Sequence, residues 1–183
     1  RRHKEATAAV QLDIHGIEYR RIGALPGAAV QSFRADTATP SPRPVEGHQP
    51  LAVTGAWADD VQDIGAGALF VPIRQARSRL VMAMLEPQAP DSLLAWGDFN
   101  NHFEQKEYME GYVAEAVARD MMASAPDLKA RFEQRLKDDP AFAADPQARL
   151  SYFHRLHSSW DSRLNLYPVL RTDSEGNPLS GAN

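Results

Sequence analysis

Cysteine is absent from the 183 residues. That excludes a disulfide scaffold, a thiolate metal site and a cysteine nucleophile. Long apolar runs are missing too: the longest is Leu80 to Leu85, whereas a membrane-spanning helix needs about 20 residues. There is no surplus of positive charge. Lys and Arg number 20 against 24 Asp and Glu, a net charge of −4, which argues against a nucleic-acid partner bound by phosphate neutralisation. Arg1-Arg2-His3-Lys4 is followed by no apolar stretch of the signal-peptide kind. No serine sits in a Gly-x-Ser-x-Gly elbow. Gly65-Ala66-Gly67 lacks the third glycine and the preceding strand of a dinucleotide loop, so it reads as a turn. No repeat recurs at a solenoid period. What remains is a globular composition, 43% apolar, 24% charged and 8% aromatic, at a length suited to one domain. The chain opens on arginine rather than methionine, and from this we expect an excised or processed piece of a longer polypeptide.

The two halves differ. Residues 1–91 hold ten basic residues, ten acidic residues and eight of the 13 prolines, while residues 92–183 hold ten basic and 14 acidic residues. The first half reads as strands and turns, the second as helices. A short opening helix should end at Gly16, the usual residue just past a helix C-terminus. Ile17 to Ile22, Ala29 to Phe33, Leu51 to Thr54, Leu69 to Ile73 and Arg79 to Leu85 read as strands. The last of these is apolar on both faces, as a strand covered on both sides would be. Four prolines between Thr39 and Pro50 mark a loop or an extended edge. Asp91 can cap a turn beginning at Ser92. Met109, Tyr112, Val113, Ala116, Val117 and Met121 form one apolar stripe on a helix from about 103 to 123. Leu128, Phe132 and Leu136 form a second stripe. Asp139-Pro140 and Asp145-Pro146 each place a capping carboxylate before a proline at the first helical position. Leu150, Phe153 and His157 line a last helix. The expected fold is α+β: a mostly antiparallel β-sheet or sandwich with a C-terminal helical layer. It forms a single domain over 1–171, β-rich over 10–90 and α-rich over 91–171, with a flexible tail over 172–183.

Three groups of residues invite a chemical reading. His15-x-x-Glu18, with His154 or His157 as a distant third donor, has the residue types of a zinc site. Beside it stands the plain reading of a histidine at a helix end and a surface glutamate. His154 and His157 lie at i and i+3 and could share a metal, or His157 could simply complete an apolar face. The segment from Leu85 to Asn100, continuing through Glu104, Lys106, Glu107, Tyr108 and Glu110, joins a proline loop, Trp96 and clustered carboxylates. Trp96 offers a stacking face, and the carboxylates could serve general acid–base chemistry if one were desolvated. The same charges equally suit a solvated helix with short-range ion pairs.

Several longer stretches resemble one family. They are Ala66-Gly67-Ala68-Leu69-Phe70-Val71-Pro72-Ile73, the run from Leu85 to Leu93, Phe103-Glu104-Gln105-Lys106-Glu107-Tyr108-Met109-Glu110, Asp139-Pro140-Ala141-Phe142-Ala143, and Trp160 to Pro168. Together they look like the C-terminal region of bacterial zinc carboxypeptidase-like metallopeptidases, the carboxypeptidase A superfamily, over most of residues 10–171. In that family a His-x-x-Glu pair and a later histidine hold zinc, and a glutamate assists the attacking water, all within an upstream α/β catalytic domain. Such a domain needs roughly 250–300 residues, more than this chain has. His15-x-x-Glu18 falls at what resembles the junction after the catalytic domain, so no zinc ligand and no catalytic residue is carried over. The resemblance implies a non-catalytic accessory domain whose partner is the upstream peptidase domain of the same polypeptide. Zinc is then a cofactor of the parent protein and not of this chain. Two other functions remain open: a free-standing module binding protein or peptide through Trp96, Glu104, Lys106, Glu107 and Tyr108, and a small metal-dependent hydrolase using His15 and Glu18. No nucleic acid and no membrane are expected as partners.

Overall fold

The computed structural model describes residues 2–105 and 109–173. Helices and antiparallel sheets are mixed, and helices fill most of the C-terminal half, so the fold is α+β. The chain divides into two compact units, one made of Arg1–Glu104 and Arg163–Asn183, the other of Gln105–Ser162. Most of the expected tail, residues 174–183, lies outside the described residues.

The first unit starts with α1 (Arg2–Ile14). The helix stops where the sequence says it should. Gly16 adopts φ +61°, its N–H donates to Asp13 C=O at 3.1 Å, and Ile17 N–H donates to Leu12 C=O at 2.9 Å. These are the two bonds of a left-handed helix stop, and Leu12 and Ile17, both buried, supply its apolar contact. The expected strand at Ile17–Ile22 shrinks to β1 (Arg20–Arg21), which pairs with β4 (Leu69–Phe70).

The main sheet has three strands in the order β3-β2-β5. β2 (Leu25–Pro40) and β3 (Leu51–Ile64) form a long antiparallel hairpin. It runs well past the short strands expected at Ala29–Phe33 and Leu51–Thr54. Thr39 and Pro40 close β2, and the remaining prolines fall in the loop to β3. At that loop's tip Val45 bridges His48, with Glu46 at φ +49° and Gly47 at φ +81°, the two positive-φ positions of a tight hairpin turn. One extra residue bulges from β2 where Ala35 faces Gly55 but Thr37 faces Thr54. β5 (Leu166–Arg171) returns from the second unit to pair with β2. Asn165 N–H donates to His102 C=O at 2.9 Å, so the strand leading back starts beside the point where the chain departs.

Leu80 to Leu85 is not a strand. It belongs to α2 (Ser78–Leu85), with Val81 and Met84 buried and Met82 and Ala83 exposed. Leu80, Val81, Met84 and Leu85 share one helical face, and Leu, Met, Ala and Arg favour helix. A run apolar at every position satisfied both readings. The expected strand at Leu69–Ile73 likewise ends at Phe70. Phe33, Tyr167, Phe99, Leu12, Leu94 and Met84 belong to the core that α1, α2 and the sheet enclose. Tyr167 anchors it: its hydroxyl donates to Leu85 C=O at 3.1 Å. Burial, followed by the charges of Glu86 and Asp98, raises the phenol's pKa far above the ordinary value. Above the ordinary phenol pKa of about 10, the neutral form therefore persists in the native state alone. Stability is full below about pH 10, where the unfolded chain also keeps its phenolic proton, and falls above it by about 1.4 kcal/mol per pH unit. Alkaline denaturation checks this: Tyr167→Phe should lose about 1 kcal/mol at neutral pH and flatten the alkaline slope. An unchanged slope would show that another group controls it.

The second unit is helical: α3 (Gly111–Ser124), α4 (Pro126–Asp138), α5 (Pro140–Ala144) and α6 (Pro146–His154). α3 starts later than expected and presents a different face. Ala114 and Ala118 are buried, whereas Tyr112 is 77% exposed. The two Asp-Pro signals hold. Asp139 Oδ1 accepts from Phe142 N–H at 3.0 Å, and Asp145 Oδ1 accepts from Gln147 and Ala148 N–H at 2.8 and 3.1 Å. Each such cap contributes about 1 kcal/mol. The last helix ends at His154, so His157 lies beyond it. Phe132 packs on Phe153 at 4.7 Å between ring centroids and edge-on to Phe142 at 6.0 Å, and Ala118 and Leu128 complete the core of this unit.

Candidate functional site

Trp96 is placed by a run of tight turns after α2. Ser92 is fully buried, and its Oγ accepts from Ala95 N–H at 3.0 Å, taking the donor that the Asp91 cap was expected to serve. Leu93 N–H donates to Met84 C=O and Trp96 N–H to Ser92 C=O, both at 3.0 Å. Gly97 turns the chain at φ +87°. A Cβ there would lie 2.2 Å from Gln49 C=O, and that same carbonyl accepts from Asn100 Nδ2 at 2.8 Å. Leu51 N–H donates to Ala95 C=O at 3.0 Å. The turn is thereby stitched to the end of the β2–β3 loop.

The stitching brings Trp96 edge-on to His48, with ring centroids 5.5 Å apart at 80°. The pair is an aromatic platform, half-buried on the Trp96 side and exposed on the His48 side. His48 was not among the residues read as functional. It lies 48 positions away in a proline-rich loop, and only the fold joins the two. Nearby in sequence, Asn100 and Asn101 each hold a buried side-chain oxygen with no donor among the described residues, a cost of about 1–3 kcal/mol apiece. Glu104 is exposed. Lys106, Glu107 and Tyr108 lie outside the described residues, so the expected contact surface is described only at Trp96 and Glu104.

His15 and Glu18 are exposed, and Glu18 is tied through its backbone, its N–H donating to Gln75 Oε1 at 2.8 Å and its C=O accepting from Gln75 Nε2 at 3.1 Å. In the second unit His154 is buried edge-on to Trp160, centroids 5.2 Å apart, and His157 Nδ1 lies 2.9 Å from Ser159 Oγ. Among the described residues no group of three His, Asp or Glu side chains is placed to hold a metal ion, and no chemical step is built on one. Among them, too, no helix is long and apolar enough to cross a membrane.

A different feature bears on partners. α1 is apolar on two sides. Ala9 and Leu12 enter the core, whereas Val10 and Ile14, one turn apart, are 54% and 70% exposed. A helix with two apolar faces is ordinarily covered on both. Compared with family models, curated proteins and solved structures, the chain finds no match in any of the three.

Proposed function

We propose that this chain is a non-catalytic accessory domain of a zinc carboxypeptidase-like peptidase, docked on a catalytic domain encoded ahead of it in the same polypeptide. The resemblance of the segments named above supports the family. The bare Val10–Ile14 face of α1 is the observation that carries the docking. Covering the part of each side chain that is exposed contributes about 1–2 kcal/mol. In this reading the zinc and the attacking water belong to the upstream domain, and this chain contributes packing surface.

Two measurements test the proposal. The chain alone should carry no stoichiometric zinc and release no C-terminal residues from peptides. In the longer polypeptide, Val10→Glu with Ile14→Glu should lower the unfolding temperature of the catalytic domain by several degrees. One zinc per chain with release activity lost in His15→Ala would replace this reading with the small hydrolase. Unchanged behaviour of the double variant would remove the docking face.

A further inference from the structure

β3 forms one edge of the main sheet, and among the described residues its only strand neighbour is β2. Two bonds show which way its peptide groups turn. Leu51 N–H leaves the ladder for Ala95 C=O, and Val61 N–H turns to Asp60 Oδ1 at 2.8 Å. In an antiparallel pair the N–H and C=O of one residue point to the same side, and the side alternates along the strand. The bulge lies on β2, so the alternation on β3 is unbroken. Val53, Gly55, Trp57 and Asp59 therefore aim both backbone groups at the free edge. Among the described residues none of these groups has a backbone bond beyond the strand pair. The opening is closed at one end by the Ala95 turn and at the other by the Asp60 carboxylate. It leaves room for a strand of about seven residues, roughly 23 Å.

Edges of this length are ordinarily blunted by lysine, proline or a bulge in the edge strand itself. Residues 51–58 of β3 contain neither charge nor proline, and the side chains on the outer face, Ala52, Thr54, Ala56 and Ala58, are small and exposed. Charge is confined to the other end. Asp59, Asp60 and Asp63 are unaccompanied by any basic residue in the strand, and exposed Val61 sits between Asp59 and Asp63 on one face. The edge is thus neutral at its start and acidic at its end.

We propose that β3 is a strand-addition site for an extended, antiparallel polypeptide segment that is basic at its N-terminal end and uncharged, small or β-branched beyond it. Main-chain bonds to Val53, Gly55, Trp57 and Asp59 supply the attachment. Lys or Arg opposite Asp59, with a second two residues earlier that lies opposite Val61 and diagonal to Asp63, sets direction and register. This inference uses residues distinct from the α1 face and stands whether or not the accessory-domain reading holds.

The probe is the end-capped peptide Lys-Thr-Lys-Thr-Val-Thr-Val-Thr-Val, set against the same peptide with Glu in place of Lys, each added to the full chain. The lysine peptide should bind at least about tenfold more tightly. It should slow amide exchange at Val53, Gly55, Trp57 and Asp59 while leaving Thr54 and Ala56 unchanged. Val53→Pro removes an outward donor without touching the β2 ladder and should weaken binding at least about tenfold. Asp59→Lys should invert the preference between the two peptides, and it decides the matter alone if the proline variant does not fold. Equal affinity for the two peptides, protection at other residues, or a folded Val53→Pro that binds normally would each overturn the proposal. So would sedimentation showing that the chain pairs with a second copy of itself through β3, since that copy brings no basic residue to the edge.

Discussion

Replacing Phe33 with alanine is expected to lower the stability of the first unit by about 3–5 kcal/mol, a large share of what a domain of this size has. Phe33 is completely buried in the middle of β2. Its ring meets Trp57 edge-on at 5.7 Å and Tyr167 at 6.4 Å, and Tyr167 in turn meets Phe99 at 5.5 Å. The three strands and the turn after Trp96 therefore share one aromatic centre. Gly55 helps to admit the ring: a Cβ there would sit 2.9 Å from Phe33 Cζ and 2.2 Å from Arg34 C=O. Truncation loses the transfer energy of the ring and leaves a cavity that β2, paired on both sides, cannot close. Phe33→Leu, which keeps most of the volume, should cost less than half as much. Urea denaturation followed by near-ultraviolet circular dichroism reads both. A loss below about 1 kcal/mol for the alanine variant would mean that the ring is not enclosed as described.

The parts of this fold that sequence made legible are those in which one residue type has one local use. Gly16 stops α1 because few other residues take its φ cheaply, and Asp139-Pro140 and Asp145-Pro146 start helices because cap and proline act within three residues. Signals that depend on tertiary company were misread. Leu80 to Leu85 is apolar throughout, so its period could not be seen, and what decides for helix is that Val81 and Met84 meet the core while Met82 does not. β3 continues past Thr54 through Asp59, Asp60 and Asp63, residues with poor strand propensity. They are held by bonds across the pair: Gln31 Nε2 donates to Asp59 at 3.1 Å and Ser32 Oγ to Asp60 at 2.8 Å. Hydrogen bonds from Gln62, Ser32 and Val61 N–H also hold the Asp60 carboxyl below the usual carboxylate range. In α3 the apolar stripe read from sequence includes Tyr112 and Val113, which are exposed, whereas the helix packs through Ala114 and Ala118, whose small side chains give little signal of their own.

The candidate platform shows the same division. Trp96 stood out by its chemistry, whereas His48 did not, because a contact between a loop tip and a turn 48 residues later leaves no period to find. Trp96 is fixed through its neighbour, the one residue in that segment with an unambiguous backbone requirement.

That neighbour supplies the second large expected effect. Gly97→Ala should destabilise the first unit by about 2–5 kcal/mol, from two separate causes. At φ +87° a side chain costs about 1–2 kcal/mol in backbone strain, and overpacking adds about 1–3 kcal/mol. The obstruction is a backbone carbonyl, Gln49 C=O at 2.2 Å, which cannot swing aside as a long side chain can. Gly16→Ala separates the two causes. Gly16 is also at positive φ, but its added Cβ would meet only the Arg77 side chain, at 3.4 Å, so it should cost about 1–2 kcal/mol, the strain alone. The difference between the variants measures the close approach of the Trp96 turn to Gln49. Gly97→Ala should also break the Asn100–Gln49 bond and separate Trp96 from His48, visible as a shift in tryptophan emission and in the His48 ring resonances. If the two glycines prove equally tolerant of alanine, the turn does not press against the loop, and the platform loses its support.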